Sequence, residues 1–178
     1  MSFISTTTVT TTSVASIIFS NIPQDATDLL VLVSARGNAS GVAANNILLQ
    51  FNNVVTANYN TLVLQGSGTN QPTSFSYTQA SIANMGQINQ DTSTANTFAN
   101  SKIYITNYAN ALTKNVFADG AEETNNNNAY MTITAGDWPN TAAIDSIKLF
   151  PYSGNFVQNT TASLYKITKG SDGITVVT

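Results

Sequence analysis

The strongest constraint on the fold is a period-two alternation of apolar residues in short segments separated by turn residues. In residues 141–169, Ile147 and Leu149 alternate with polar neighbours, as in a strand with one buried face. Pro151 ends this run because proline cannot donate to a sheet ladder. A second strand is predicted at residues 161–168. Two such strands are not stable alone in water, so other strands must cover them.

Comparable segments recur along the whole chain, and none longer than a turn has the 3.6-residue apolar spacing of a helix. The sequence therefore predicts an all-β protein, an antiparallel sandwich of about eight to ten strands. The other predicted strands cover residues 14–20, 28–35, 46–52, 59–64, 73–83, 97–108, 114–118 and 129–135. In the strand at 59–64, alternation predicts that Leu62 and Leu64 lie on the face opposite Tyr59. Residues 85–94 are rich in Asn, Gln, Ser and Thr and are predicted to form a loop.

Three segments carry more specific predictions. Residues 28–35 (DLLVLVSA) are apolar without alternation, which predicts burial on both faces, the outer one under a neighbouring subunit. The tyrosines at 59, 104, 108 and 165 likewise exceed what one thin sandwich needs. Residues 6–12 are almost all threonine, which favours an arm or edge strand, with a low-complexity segment as the alternative. We divide the chain into an N-terminal arm or edge strand (1–13), one sandwich domain (14–169) and a C-terminal tail (170–178).

Composition excludes several classes of function. Only 8% of the 178 residues are charged, and the six basic residues are scattered, so no basic stripe for nucleic acid is expected. The longest apolar run, residues 29–33, is too short to span a membrane, and the N-terminus lacks the pattern of a secretory signal. The chain contains no cysteine and no histidine, which removes thiol nucleophiles, imidazole bases and the usual zinc ligands. We expect no catalytic, cofactor or metal site, and no enzyme activity.

Two groups of residues are candidate sites, each with a structural alternative. Asp119, Glu122 and Glu123 lie near a predicted Asp119-Gly120 turn and offer oxygen ligands for Ca²⁺, but a solvated loop is favoured. Asp137 and Trp138 are the glycan-binding candidate, with the indole stacking on a sugar ring and the carboxylate binding its hydroxyls. The alternative is a corner tryptophan that plugs the end of the sandwich.

Four stretches in this order carry a resemblance to a known family. They are SIIFSNIPQDATDLLVLVSARG (16–37), ILLQFNN followed by Asn58 and Tyr59, ANTFANSKIYITNYAN, and TAAIDSIKLFPYSGNFVQNTTASLYKI. Together they resemble the jelly-roll virion structural proteins of tailed bacteriophages, a family of capsid-associated and tail-fibre-like proteins. The resemblance implies a jelly roll, a virion location and a homotrimer, and it supplies no catalytic residues. The tail after Lys169 does not match the family's usual end.

Two functions follow as expectations. The first is a capsid decoration or cement protein on the phage head, bound to the major capsid protein or another virion protein. Its docking segments would be residues 6–12 and 174–177, which are extended-chain formers able to add a strand to a neighbour's sheet. The second is the tip of a tail fibre or spike that binds a host surface glycan. The chain has no long repetitive shaft, which favours the first.

Overall fold

The computed structural model describes residues 1–55, 59–68, 71–124 and 129–170. These residues form fourteen strands, ten of them five residues or longer, in agreement with the predicted eight to ten. The strands are β1 (Ser2–Thr8), β2 (Ser13–Val14), β3 (Ile17–Phe19), β4 (Asp28–Ala35), β5 (Ala44–Phe51), β6 (Tyr59–Ser67), β7 (Thr73–Gln79), β8 (Gln87–Asn89), β9 (Ala99–Ile105), β10 (Lys114–Glu123), β11 (Ala129–Trp138), β12 (Ile147–Pro151), β13 (Phe156–Val157) and β14 (Thr161–Ile167).

The strands form two main sheets that pack face to face. The larger sheet has eight strands in the order β1-β14-β4-β9-β10-β11-β6-β7, and the smaller has four in the order β3-β12-β5-β8. Every pair of neighbouring strands in them is antiparallel. The predicted all-β antiparallel sandwich is therefore confirmed. The jelly-roll connectivity implied by the resemblance remains a prediction.

The core lies between the two sheets. Val31 and Ile103 of the larger sheet and Leu149 of the smaller are fully buried members of one apolar cluster. Tyr59 and Tyr108 are also fully buried, so the prediction that these two tyrosines serve an interface between subunits was wrong. Burying such side chains contributes about 1.5–3 kcal/mol each to folding. One face of the larger sheet therefore packs on the core, and its other face points away from the core.

The strand predicted at residues 28–35 is β4, but the single chain does not bury both of its faces. Leu29, Val31 and Val33 point inward and are buried, whereas Leu30 is half-buried and Leu32 is exposed. Because the outward-pointing residues of β4 are also apolar, its sequence does not alternate, and the single buried face could not be recognised from it. The neighbouring subunit that was predicted to cover them remains a prediction.

The polar segment predicted as a loop at residues 85–94 is largely buried. All of residues 81–90 are buried, and β8 lies within them at the edge of the smaller sheet. Arg36 holds the end of this segment: its Nη2 donates to the carbonyls of Gln90 (2.7 Å) and Ser93 (3.0 Å). Several of its polar groups have partners in the protein: Gln87 Nε2 donates to Asn46 Oδ1 at 2.6 Å and Ser93 Oγ to the carbonyl of Ala43 at 2.5 Å. Composition alone does not reveal such partners.

The N-terminal region is an edge strand rather than a free arm. β1 pairs with β14 at one edge of the larger sheet. Val9 is 3% exposed, and its N–H donates to the carbonyl of Thr160 at 2.9 Å. Residues 6–12 are therefore held to the sandwich over their length. The predicted docking segment 174–177 lies outside the described residues, as does most of the predicted tail at 170–178.

Asp119 and Gly120, predicted as a turn, lie in the middle of the ten-residue strand β10. A side chain at Gly120 would approach Ser101 Oγ to 2.9 Å and Gly86 Cα to 3.0 Å. Gly120 is therefore required for close packing and not for a change of direction. Among the described residues, no helix is long and apolar enough to cross a membrane.

Candidate binding surface

The acidic candidates do not form a cluster. Asp119 points outward from β10, and its Oδ1 lies 3.0 Å from Lys102 Nζ. Glu122 points inward and is 3% exposed, with Asn89 Nδ2 donating to its Oε1 at 3.4 Å. The side chain of Glu123 lies outside the described part of the chain. Within that part, no three acidic side chains come together as a metal site requires.

Trp138 is placed where a sugar ring cannot reach it. The indole is 2% exposed. It stacks on Tyr59 at 6.0 Å between ring centroids, and Phe51 contacts it at 5.5 Å. The glycan-stacking hypothesis for Trp138 was therefore wrong, because the core already covers the ring. The structural alternative, a tryptophan that plugs the end of the sandwich, agrees with this placement.

Asp137 lies on the opposite face of the same strand, half-buried at the surface. It stands between Asn60 of β6 and Asn115 of β10 in the sheet register. These three residues line an open hollow of about 610 Å³, which Thr78 also borders. Thr78 Oγ1 donates to Asn60 Oδ1 at 3.0 Å. A carboxylate flanked by amides offers both acceptors and donors to a polyhydroxy ligand.

Beside this hollow, two rows of side chains cross the outer face of the eight-stranded sheet. We call the first the aromatic row. Every member but the last is apolar or aromatic, and each lies opposite the next in the strand register: Phe3, Tyr165, Leu30, Tyr104, Phe117, Ala135, Leu62 and Ser76. Phe3 and Tyr165 pack edge to face at 5.6 Å between ring centroids. The row extends across all eight strands.

The second row, here the mixed row, lies two residues further along every strand except β1, where the irregularity between Phe3 and Ser5 makes the step three residues. It consists of Thr6, Ser163, Leu32, Lys102, Asp119, Ile133, Leu64 and Ser74. The structure describes all sixteen residues of the two rows, and the Lys102–Asp119 pair supplies their only charges. We use the term outer face for these two rows together with Met131. Its large exposed apolar side chains are 41–66% exposed: Phe3, Leu32, Leu62, Leu64, Phe117, Met131 and Ile133.

Tyr104, in the middle of the aromatic row, is held by a buried carboxylate. Its hydroxyl donates to Asp28, which is fully buried at the start of β4. Asp28 also accepts from the N–H of Asn107 at 3.0 Å and lies 2.7 Å from Lys169 Nζ. Burial raises the pKa of Tyr104, and the hydrogen bond to Asp28 raises it further. Tyr104 therefore remains neutral, and its ring is fixed in position on the outer face.

Comparisons with known protein families, with curated proteins and with solved structures find no match. The surface therefore has to be interpreted from its own residues. The sequence placed Leu62 and Leu64 on the face opposite Tyr59, as observed, but it gave no indication that these leucines continue into two rows. That arrangement depends on which strands are neighbours, and strand order is not encoded in any one segment.

Both edges of the eight-stranded sheet belong to uncharged strands. β1 (SFISTTT) and β7 (TSFSYTQ) have seven residues each, with no charged residue and no proline. Proteins usually protect open sheet edges with charges, prolines or bulges, because a free edge can pair with another chain. β1 has one irregularity in its register, between Phe3 and Ser5. Each edge strand therefore offers main-chain donors and acceptors to a partner.

Proposed function

We propose that this chain is a structural protein of a bacteriophage particle, a decoration or cement protein on the head surface. The observation that carries the proposal is the uncharged edge strand β1, whose outer edge pairs with no other strand of the described residues. Such an edge can add to a sheet of the major capsid protein, or of another virion protein, through main-chain hydrogen bonds. The resemblance noted from the sequence supports the virion location and implies a homotrimer. No catalytic step and no cofactor is part of this function.

The charge-poor composition supports the same proposal. With 8% charged residues, against roughly 25% in average soluble proteins, the surface is hydrated mainly by amides and hydroxyls. Such a surface has weak long-range repulsion. It is therefore suited to dense packing beside many copies on a particle.

The test is a pull-down of the purified protein with empty capsids, using charges on one edge. Ser2→Lys combined with Thr8→Lys places two charges on exposed positions of β1 that lie outside the two rows of the outer face, and we expect capsid binding to fall at least about tenfold. The matched control is Thr73→Lys combined with Thr78→Lys, on exposed positions of β7 at the other edge that also lie outside the two rows. An equal loss of capsid binding in both variants, or no loss in either, would refute docking through β1.

A second candidate function, glycan binding at the tip of a tail fibre or spike, is supported by the hollow at Asp137. Under this alternative, Asp137→Asn reduces binding to host cells because the carboxylate acceptors for sugar hydroxyls are lost. Asp145→Asn, at an exposed carboxylate away from the hollow, is the control. Binding to cells without binding to capsids would favour this alternative over decoration.

A further inference from the structure

We propose that the outer face of the eight-stranded sheet is covered by the same face of a second copy of this chain, in a twofold pair. This inference does not rest on the virion function, which is argued from the edge strand β1. It starts from the exposure of the face: contiguous apolar surface of this extent is unusual on a monomer and typical of an interaction surface.

The order of residues in the mixed row identifies the partner. Lys102 and Asp119 are its fourth and fifth members, at the centre. A twofold axis parallel to the strands, between β9 and β10, places Lys102 of each copy over Asp119 of the other. The same rotation places Leu32 over Ile133. The charges of the face are therefore complementary to those of its own copy.

The same twofold axis also brings residues of the aromatic row over each other. The axis places Tyr104 over Phe117 and Leu30 over Ala135. Tyr165 then lies over Leu62, so apolar residues meet apolar residues along most of the row. Two sheets stacked in this way keep their strands within about 30° of each other and lie about 10 Å apart. An isologous contact of this kind is the commonest basis of a homodimer.

The size of the face fits a stable pair. Eight strands separated by about 4.8 Å span about 34 Å, and strands of seven to ten residues are about 23–33 Å long. The whole outer side of the sheet therefore covers on the order of 800 Å², the area that each partner contributes to a standard stable interface, and the two rows with Met131 form its central part. The resemblance implies a trimer instead, and the mass of the particle in solution distinguishes the two.

The decisive experiment uses two charge variants of the full chain, measured by light scattering at micromolar concentration. We expect the unaltered protein at twice the 18.8 kDa of one chain. Lys102→Asp gives a face with two negative charges and Asp119→Lys gives one with two positive charges, so each variant alone should be monomeric. Their equimolar mixture should return to the dimer mass. The internal ion pair cannot explain this recovery, because mixing does not restore it within either chain.

A second pair of variants tests the apolar part of the face. Ile133→Lys places a charge in the centre of the interface, and we expect the dimer to weaken at least about 30-fold. Ile18→Lys is the control, with a similarly exposed isoleucine on the four-stranded sheet. Circular dichroism confirms that each variant is folded, and Leu64→Lys replaces Ile133→Lys if the latter is not.

Four results would overturn the proposal. They are an unaltered protein that is monomeric, an unaltered protein that is trimeric, folded charge variants that do not pair when mixed, and an Ile133→Lys variant that remains a dimer. A monomer whose capsid binding is abolished by Ile133→Lys would assign the face to the capsid instead of a second copy. The capsid pull-down tests docking through β1, and light scattering tests pairing through the outer face. Failure of one proposal therefore does not refute the other.

Discussion

The inner and outer faces of the eight-stranded sheet carry similar apolar residues in different surroundings. On β4, Val31 points inward and is fully buried, whereas its neighbour Leu32 points outward and is 41% exposed. On β11 the inner face even carries hydroxyls: Thr134 is fully buried, and its Oγ1 donates to the carbonyl of Asn84 at 2.6 Å. Ile133 beside it is exposed on the outer face. The difference shows that the apolar content of a strand face does not by itself reveal whether the chain's own core covers it.

The largest expected effect compares the two faces of β11. Trp138→Ala should lower the free energy of unfolding by about 3–5 kcal/mol, since a cavity replaces an indole packed between two aromatic rings. Ile133→Ala on the outer face should cost about 0.5 kcal/mol or less in the monomer. Urea denaturation of dilute protein measures both. Similar losses in the two variants would mean that the outer face is packed within the single chain.

A smaller effect is expected at Arg36, which directly follows β4 and is buried among backbone carbonyls. Arg36 Nη1 donates to the carbonyls of Thr94 (2.8 Å) and Thr97 (3.1 Å), in addition to the two bonds from Nη2. Lysine keeps the charge but not the planar fork, so Arg36→Lys should cost about 2–3 kcal/mol. Lys102→Arg on the outer face keeps an exposed ion pair and should change stability by less than about 0.5 kcal/mol. Equal stability of the two variants would show that the carbonyls find other donors.

These contrasts also explain what the sequence could predict. Alternation identified β6 and placed Leu62 and Leu64 on the face opposite Tyr59, because period two directly reports the two faces of one strand. It failed at β4, where both faces are apolar. The turn signal of Asp119-Gly120 failed as well, because a glycine also occurs inside a strand where another backbone approaches closely. The outer face was not predicted because it depends on the order of eight strands.

Alkaline pH should lower the stability of the fold, because two of its tyrosines are buried. Burial raises the pKa of Tyr59 and Tyr108, and a backbone hydrogen bond partly opposes this rise in each. Both hydroxyls ionise near pH 10 in the unfolded chain. Their contribution to stability is therefore complete below pH 10 and is lost as the pH rises toward the folded-state pKa. The loss amounts to at most about 1.4 kcal/mol per pH unit for each tyrosine.

The variant that tests this is Tyr108→Phe, whose ring remains while the ionisable hydroxyl is removed. Its unfolding free energy should fall less steeply above pH 10 than that of the unaltered protein, although loss of the bond to the Pro23 carbonyl lowers its stability at neutral pH. Denaturation curves at a series of alkaline pH values give both quantities. An unchanged slope would show that Tyr108 ionises equally in the folded and unfolded states.

The smallest effect on stability is expected at Leu32, which is 41% exposed on the outer face. In Leu32→Thr, the lost apolar area is offset by the strong strand preference of threonine, so the unfolding free energy of the monomer should change by about 0.5 kcal/mol or less. The same substitution places a hydroxyl opposite Ile133 of the second copy in the proposed pair, so dimerisation should weaken. Val31→Thr is the control on the inner face, where an added buried hydroxyl costs about 1–3 kcal/mol and leaves the pairing surface unchanged. If Leu32→Thr destabilises the monomer as much as Val31→Thr does, both faces of the sheet belong to the core and the contrast between them is wrong.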